Sequence, residues 1–313
     1  MKKNLNKVKG ALYGLAVGDA LGAPLEFMTR EEIAARHGEV DSMIGGGWLN
    51  LAPGEVTDDT QMTLCVAKGI ALASPSKTEP IAEETKEAVL VEIGDQFFEW
   101  ADSGPKDIGN TCRAAIEGAR TRIRFGEVNE VKAWYDSAQN YHMASGGKSG
   151  GNGSLMRTLY PALYFDNASS ALGMAAAQSM MTHYDHVATH CCMDYVQLVH
   201  FALRNEYDDA KDKLNRWIYR SLDSGFLPES CPPDGYVLHS MRVATALVSG
   251  STSFKEALVG IVNLGGDTDT NAAIAGGLAG AIWGFDAIPK KWVDALPAAV
   301  KRELDYYASL AIA

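Results

Sequence analysis

Apolar residues in this chain recur at three- and four-residue spacing over long stretches. Almost nowhere do they alternate with polar ones at the period of two that a half-buried strand requires. The helical period is clearest over 81–101, 111–124, 169–181, 188–204 and 253–262, all rich in Ala, Leu, Met, Glu and Lys. Two further apolar runs, 62–71 and 272–282, read the same way. The expected fold class is all-α, a single compact multi-helix domain over residues 1–313.

Glycine adds a second pattern. Gly10, Gly14, Gly18 and Gly22 fall every fourth residue, and so do Gly276, Gly280 and Gly284. A glycine inside a helix costs about 1 kcal/mol relative to alanine, so both stripes need a compensating gain. Close approach of two helix backbones supplies one. In a membrane such a stripe marks a dimerisation face, but Asp19 and the short apolar length exclude that here. The two helices are expected to pack together at the centre and to bring both chain ends into one core. Loops are expected over 38–54, 144–153 and 228–235, which are rich in Gly, Pro, Ser or Asn. Loops of that length tend to carry function.

Candidate chemistry sits at the starts of two expected helices. Thr57-Asp58-Asp59-Thr60 precedes the run 62–71, and Gly265-Gly266-Asp267-Thr268-Asp269-Thr270-Asn271 precedes the run 272–282. The ordinary reading is capping, because Asp and Thr satisfy the free N–H groups of a first turn and complement its dipole. Capping needs one such residue per helix, however. Paired carboxylates repel one another unless a cation or a proton intervenes, and hard oxygen donors of this kind suit Mg²⁺ or Mn²⁺ rather than zinc.

Composition narrows the picture. Hydrophobic residues make up 47% and charged residues 21% of the chain, as in a globular protein with a large core. A net charge of −11 argues against a nucleic-acid partner, which calls for a basic face. It argues less against a small phosphate-bearing ligand, since backbone N–H groups and metal ions can hold one. Cys65, Cys112, Cys191, Cys192 and Cys231 are odd in number and contain no C-x-x-C, which points to reduced thiols and a cytoplasmic location. The basic start and the apolar run after it are shaped like a secretory signal, but Asp19 and Glu26 interrupt it. No membrane span is expected.

Two other motifs compete. His183, His186 and His190 can share a helix face with Asp185 beside them, as in a zinc site, but the H-E-x-x-H arrangement is absent. Thr182-His183 instead suits the border of a nucleotide pocket. Gly147-Lys148-Ser149 looks like the end of a phosphate-binding P-loop, yet position 142, where its first glycine belongs, is His142. That loop remains a candidate for holding a diphosphate on backbone N–H groups, with Arg157 or Lys148 beside it.

These motifs together resemble the ADP-ribosylglycohydrolase family. The resemblance rests on Gly14-Leu15-Ala16-Val17-Gly18-Asp19-Ala20-Leu21-Gly22-Ala23 through Glu26, on Thr57-Asp58-Asp59-Thr60, and on Asp107-Ile108-Gly109-Asn110. It continues through Gly151-Asn152-Gly153-Ser154-Leu155-Met156-Arg157 to Gly265-Gly266-Asp267-Thr268-Asp269-Thr270-Asn271-Ala272. The first and last are the specific ones. The resemblance implies an all-α fold with a central binuclear Mg²⁺ or Mn²⁺ site whose ligands are Thr57, Asp58, Asp59, Asp267, Asp269 and Thr270. It places Glu26 at the mouth of the site and Asp107 and Asn110 in a ribose pocket. Asn152, Gly153 and Ser154 fall near a diphosphate, and Tyr236 beside the nucleotide.

The implied activity is removal of ADP-ribose from a modified protein, with arginine as the expected linkage and serine or O-acetyl-ADP-ribose as alternatives. A non-enzymatic ADP-ribose-binding or structural relative is the other class, and the presence of all the acidic ligands favours catalysis over it. Cleaving an N-glycosidic bond passes through an oxocarbenium-like centre and calls for a proton shuttle. Asp59, Asp107 and Glu26 are the candidates, with acid and base unassigned among them.

Overall fold

The computed structural model describes residues 3–222 and 231–313. Among these the regular elements are helical, and extended backbone pairs only in isolated bridges. In chain order the helices are α1 (Leu5–Gly22), α2 (Arg30–His37), α3 (Asp58–Ala73), α4 (Glu83–Asp102), α5 (Asn110–Arg124), α6 (Glu130–Ala144), α7 (Leu159–Tyr164), α8 (Ala168–Met180), α9 (His186–Ala202), α10 (Tyr207–Leu222), α11 (Val237–Gly250), α12 (Phe254–Val262), α13 (Thr268–Trp283), α14 (Lys290–Ala295) and α15 (Ala298–Ile312). The chain is all-α and forms one compact helical body. Of the expected loop 228–235, residues 228–230 lie outside the described residues.

Antiparallel α1 and α13 form the centre, and the glycine stripes are their seam. A Cβ at Gly10 would land on the carbonyl oxygen of Gly280, one at Gly14 on that of Gly276, and one at Gly18 on that of Ala272. One at Gly22 would land on the carbonyl oxygen of Thr268. Any larger residue would hold the backbones apart. Both helices are buried nearly all round, as expected of segments that are apolar on every face. Around them pack α3, α7, α9, α11, α12 and α15, with α4, α5, α6, α8 and α10 further out. α5 is strongly amphipathic, burying Cys112, Ala115, Ile116 and Ala119 beneath a polar outer face.

The chain beyond α1 sets the position of the acidic residues. Pro24 has no N–H to continue the helix, and a 3-10 turn, Ala23–Leu25, ends it. Phe27 then adopts a left-handed φ of 65°. Phe27 N–H donates to Gly266 O at 2.8 Å, and Gly266 N–H donates to Met28 O at 2.8 Å. This clasp sets Glu26 beside Asp267. Gly265 and Gly266, at φ 79° and 77°, leave no room for a side chain, because a Cβ would strike Met28 O and Pro233 O respectively.

Candidate active site

Three helix N-termini, those of α3, α5 and α13, converge at the C-terminal end of α1. The first is held there by Asp19, which is fully buried on α1. Its carboxylate accepts from Thr57 N–H at 3.0 Å, Thr57 Oγ1 at 2.8 Å, Thr60 N–H at 3.1 Å and Thr60 Oγ1 at 2.5 Å. Burial pushes the Asp19 pKa up, and the hydrogen bonds from Thr60 and Thr57 oppose that rise. Asp19 thereby caps a helix other than its own, and Asp58 and Asp59 are released from capping.

Asp59 is 1% exposed. Its Oδ1 has no hydrogen-bond donor. The single proton of the Thr57 hydroxyl lies toward Asp19 at 2.8 Å rather than toward Asp59 Oδ2 at 3.3 Å. A buried carboxylate left so bare is costly unless a cation or proton accompanies it.

The second cluster behaves alike. Asp267 occupies the N-cap position of α13, but its side chain makes no capping bond. Instead, Asp267 Oδ2 accepts from Asn152 Nδ2 at 2.8 Å. The other Asn152 amide hydrogen goes to Ser240 Oγ at 2.9 Å. One carboxylate oxygen each from Glu26, Asp267 and Asp269 lie within 4.8 Å of one another. Burial pushes Asp58, Asp59 and Asp269 well above the usual carboxylate range, and neighbouring carboxylates add to it. Burial likewise raises Glu26 to about 7, against the Trp48 indole N–H, which donates to Glu26 Oε2 at 2.6 Å and favours the anion. Oxygens of this kind, crowded and short of donors, are the ligand type that Mg²⁺ or Mn²⁺ takes.

The clusters open into a cleft of about 540 Å³ lined by Glu26, Asp58, Asp107, Asn110, Asn152, Gly153, His183, Asp267, Asp269 and Thr270 of the expected set. The ADP-ribosylglycohydrolase family model matches residues 1–312. The chain belongs to that family. It is 34% identical over 301 residues to the ADP-ribosyl-[dinitrogen reductase] glycohydrolase of Rhodospirillum rubrum, covering 96% of this chain and 93% of that one. It is 31% identical to an ADP-ribosylarginine hydrolase of Pseudomonas putida (strain GB-1), covering 93% and 74% respectively. A solved structure described as an ADP-ribosylglycohydrolase-related protein complex superposes with a TM-score of 0.76 at 27% identity, over 100% of this chain and 99% of that one.

Within this member of the family the remaining expected residues divide by position. Thr57 and Asp59 are buried and do not line the cleft. Asp107 does not cap α5; Gly109 holds the N-cap position, and the Asp107 carboxylate accepts from Ile108 N–H at 2.7 Å. Burial raises its pKa. His183 is buried, and burial followed by the Arg157 charge depresses its pKa to about 3. Its ring is therefore neutral, with Nδ1 paired to Thr182 Oγ1 at 2.7 Å. Ser154 turns away from the cleft, toward Ser179 and Cys192. Tyr236 stands at the rim, 39% exposed, while its neighbour Gly235 lines the cleft.

The competing motifs come apart. His186 and His190 lie on the outside of α9, with His190 Nδ1 bonded to His186 O. Among the described residues only Glu26, Asp267 and Asp269 converge as a metal-binding group. Lys148 is exposed, and Ser149 is committed to His142 Nδ1 at 2.6 Å.

Arg157 corrects an expectation. It is 0% exposed and cannot reach a diphosphate in the cleft. Its five N–H groups go to Gln178 Oε1, Gln178 O, Gly153 O, Thr182 Oγ1 and Cys112 Sγ. It braces the cleft wall from behind.

Sequence reasoning gave no role to Asp19, Trp48 or Phe27. For Asp19 a signal was present, since a carboxylate inside an apolar helix demands partners. Trp48 and Phe27 lie where no periodicity operates.

Proposed function

We propose that this chain is a metal-dependent hydrolase that releases ADP-ribose from ADP-ribosylated protein, acting on the N-glycosidic linkage to arginine. The observation that carries this reading is the convergence of Glu26, Asp267 and Asp269 within 4.8 Å on the lining of a cleft, with the donor-poor Asp59 buried close enough to feel their charge. The similarity to a dinitrogen reductase glycohydrolase and to an ADP-ribosylarginine hydrolase supports the substrate class. In this reading Thr57, Asp58, Asp59, Asp267, Asp269 and Thr270 hold two Mg²⁺ or Mn²⁺ ions. Bound divalent ions supply Lewis-acid polarisation and charge neutralisation.

The protein's own groups do the rest. Breaking the bond between the anomeric carbon and the guanidine nitrogen builds positive charge on the ribose; water forms the new bond to that carbon and gives up a proton as the guanidine leaves. The departing nitrogen needs a proton. Glu26, whose carboxyl is pushed up by burial and whose Oε2 accepts from the Trp48 N–H, is one carboxyl placed to hold it. Asp107, also facing the cleft, is the second carboxylate able to move a proton. Asp59 lies too deep for that task and serves as a ligand only. Neutral His183, with Asn110 and the backbone at Gly153, lines the wall against the nucleotide portion.

No described helix is long and apolar enough to cross a membrane. All five cysteines are unpaired, in keeping with a reducing, cytoplasmic setting. The test is release of ADP-ribose from an ADP-ribosylated arginine peptide, with chelator, Mg²⁺ or Mn²⁺. No release with either metal would sink the reading.

A further inference from the structure

We infer that Phe27 and Trp48 form an aromatic clamp for the guanidinium side chain of the modified arginine, and so set linkage preference at the mouth of the cleft. This rests on the proposed activity and deepens it. Phe27 is 70% and Trp48 54% exposed, yet both line the cleft. Their rings are paired at 5.7 Å between centroids, tilted by 43°. Large apolar side chains left in water beside a polar cleft are the informative kind of exposure.

Both rings are held in place by design of the chain around them. Phe27 sits in a left-handed conformation unusual for a bulky residue; its N–H donates to Gly266 O, and Gly266 N–H returns a bond to the next residue, at Met28 O. Trp48 rides on a tight turn closed by Gly46 and Leu51, which exchange backbone hydrogen bonds at 2.7 and 2.8 Å. Gly47 in that turn presses on Pro24, where a Cβ would come within 2.8 Å of Pro24 Cα. The Trp48 N–H bonded to Glu26 fixes the ring's orientation. Strained, ordered and exposed residues of this kind cluster at ligand clamps.

Their location selects the occupant. Glu26, Asp267 and Asp269 mark the reacting end of the cleft, and the diphosphate and adenosine extend away from the anomeric carbon. With Asn110, Gly153 and His183 assigned to the nucleotide in the proposed function, the rings beside Glu26, Phe27 next to it in sequence and Trp48 bonded to it, are left for the leaving side chain. The rings touch each other and leave no slot between them, but their outer faces, beside a carboxylate, suit a planar cation through stacking and charge together. A serine or ester leaving group offers the rings neither.

Phe27→Leu, Trp48→Ala and Trp48→Phe in the full-length protein separate the possibilities. kcat/KM is measured on an ADP-ribosylated arginine peptide and on O-acetyl-ADP-ribose, and ADP-ribose affinity by calorimetry. Phe27→Leu removes a ring that makes no bond to Glu26, and Trp48→Phe keeps a ring face without the N–H. The clamp predicts a fall on the order of tenfold on the arginine substrate for Phe27→Leu and Trp48→Ala, with partial retention by Trp48→Phe. ADP-ribose affinity should stay at the wild-type value. Unchanged arginine kinetics in Phe27→Leu and Trp48→Ala, weakened ADP-ribose binding, or equal losses on both substrates would overturn the clamp while leaving the hydrolase reading standing. Failure of the wild-type protein to cleave the arginine peptide would overturn both.

Discussion

Replacing Gly276 and Gly173 with alanine, one at a time, should shift stability in opposite directions. Alanine gains about 0.5–1 kcal/mol over glycine inside a helix when nothing obstructs it. Gly173, within α8, has no atom within 4 Å of where a Cβ would stand, so that gain is expected in full. At Gly276 a Cβ would meet the Gly14 backbone, with the carbonyl carbon at 2.7 Å against the 3.4 Å at which ordinary contact begins. A backbone cannot rotate aside as a side chain can, so the cost falls toward the upper end of the roughly 1–3 kcal/mol typical of overpacking.

Net of the propensity gain, Gly276→Ala should lose about 2 kcal/mol, or about 4–8 °C of melting temperature at about 2–4 °C per kcal/mol for a large domain. Gly173→Ala should gain about 1–4 °C on the same scale. Thermal unfolding followed by circular dichroism, in chelator and then in Mn²⁺, measures both. Parting α1 from α13 also moves Asp19 relative to Asp269, so the Mn²⁺-dependent rise should shrink in Gly276→Ala. A Gly276→Ala protein as stable as the wild type would refute the close-packed seam.

Asp19→Ala strips the acceptor from two buried N–H groups and two hydroxyls, so a loss of about 3 kcal/mol or more is expected, together with weaker Mn²⁺ binding by calorimetry. Unchanged Mn²⁺ affinity would show that Asp19 does not position α3. For pH, Asp58, Asp59 and Asp269 hold protons above their usual range in the folded chain. Their share of stability is therefore largest below about pH 4 and is lost as pH rises through the folded values. A cation takes the protons' place, so the melting increment from Mn²⁺ should grow between about pH 5.5 and 8. The depressed pKa of His183 comes from burial and Arg157, not from the carboxylates, and cancels in that difference, so an increment that shrinks across the range would contradict the assignment. Arg157→Lys offers three donors where five acceptors wait, and urea unfolding should show a loss of about 2–4 kcal/mol. A loss under about 0.5 kcal/mol would mean the brace is dispensable.

The helical period was sufficient for the all-α class because most helices here bury one face, and the glycine stripes disclosed the α1–α13 seam because few other arrangements compensate for them. The acidic clusters were visible as pairs, but each taken alone reads more readily as a cap. What decides against capping is Asp19, which takes over that task for α3 from another helix. A contact across about 40 positions leaves no trace in local spacing. Arg157 was misread for the same reason: beside a glycine-rich loop it resembles a solvated phosphate binder, and only the packing of α8 and α5 shows it enclosed. Phe27 and Trp48 escaped because their placement depends on turn geometry and a reciprocal backbone clasp, neither of which has a period. Short helices such as α7 and α14, with proline within or just before them, likewise have too few turns for a pattern to register.

The α1–α13 seam also dictates when the site comes into being. Thr268 Oγ1 bonds to Gly22 O across 246 positions of chain. At about 5–20 residues per second a ribosome takes roughly 10–50 s to span that gap. Through that interval α1 has emerged with its glycine face uncovered, and Asp58 and Asp59 have no Asp267 and Asp269 opposite them. The nascent chain is thus without hydrolase chemistry until nearly the last helices are made. Its long-lived apolar face is the surface that a chaperone or an aggregate would meet first.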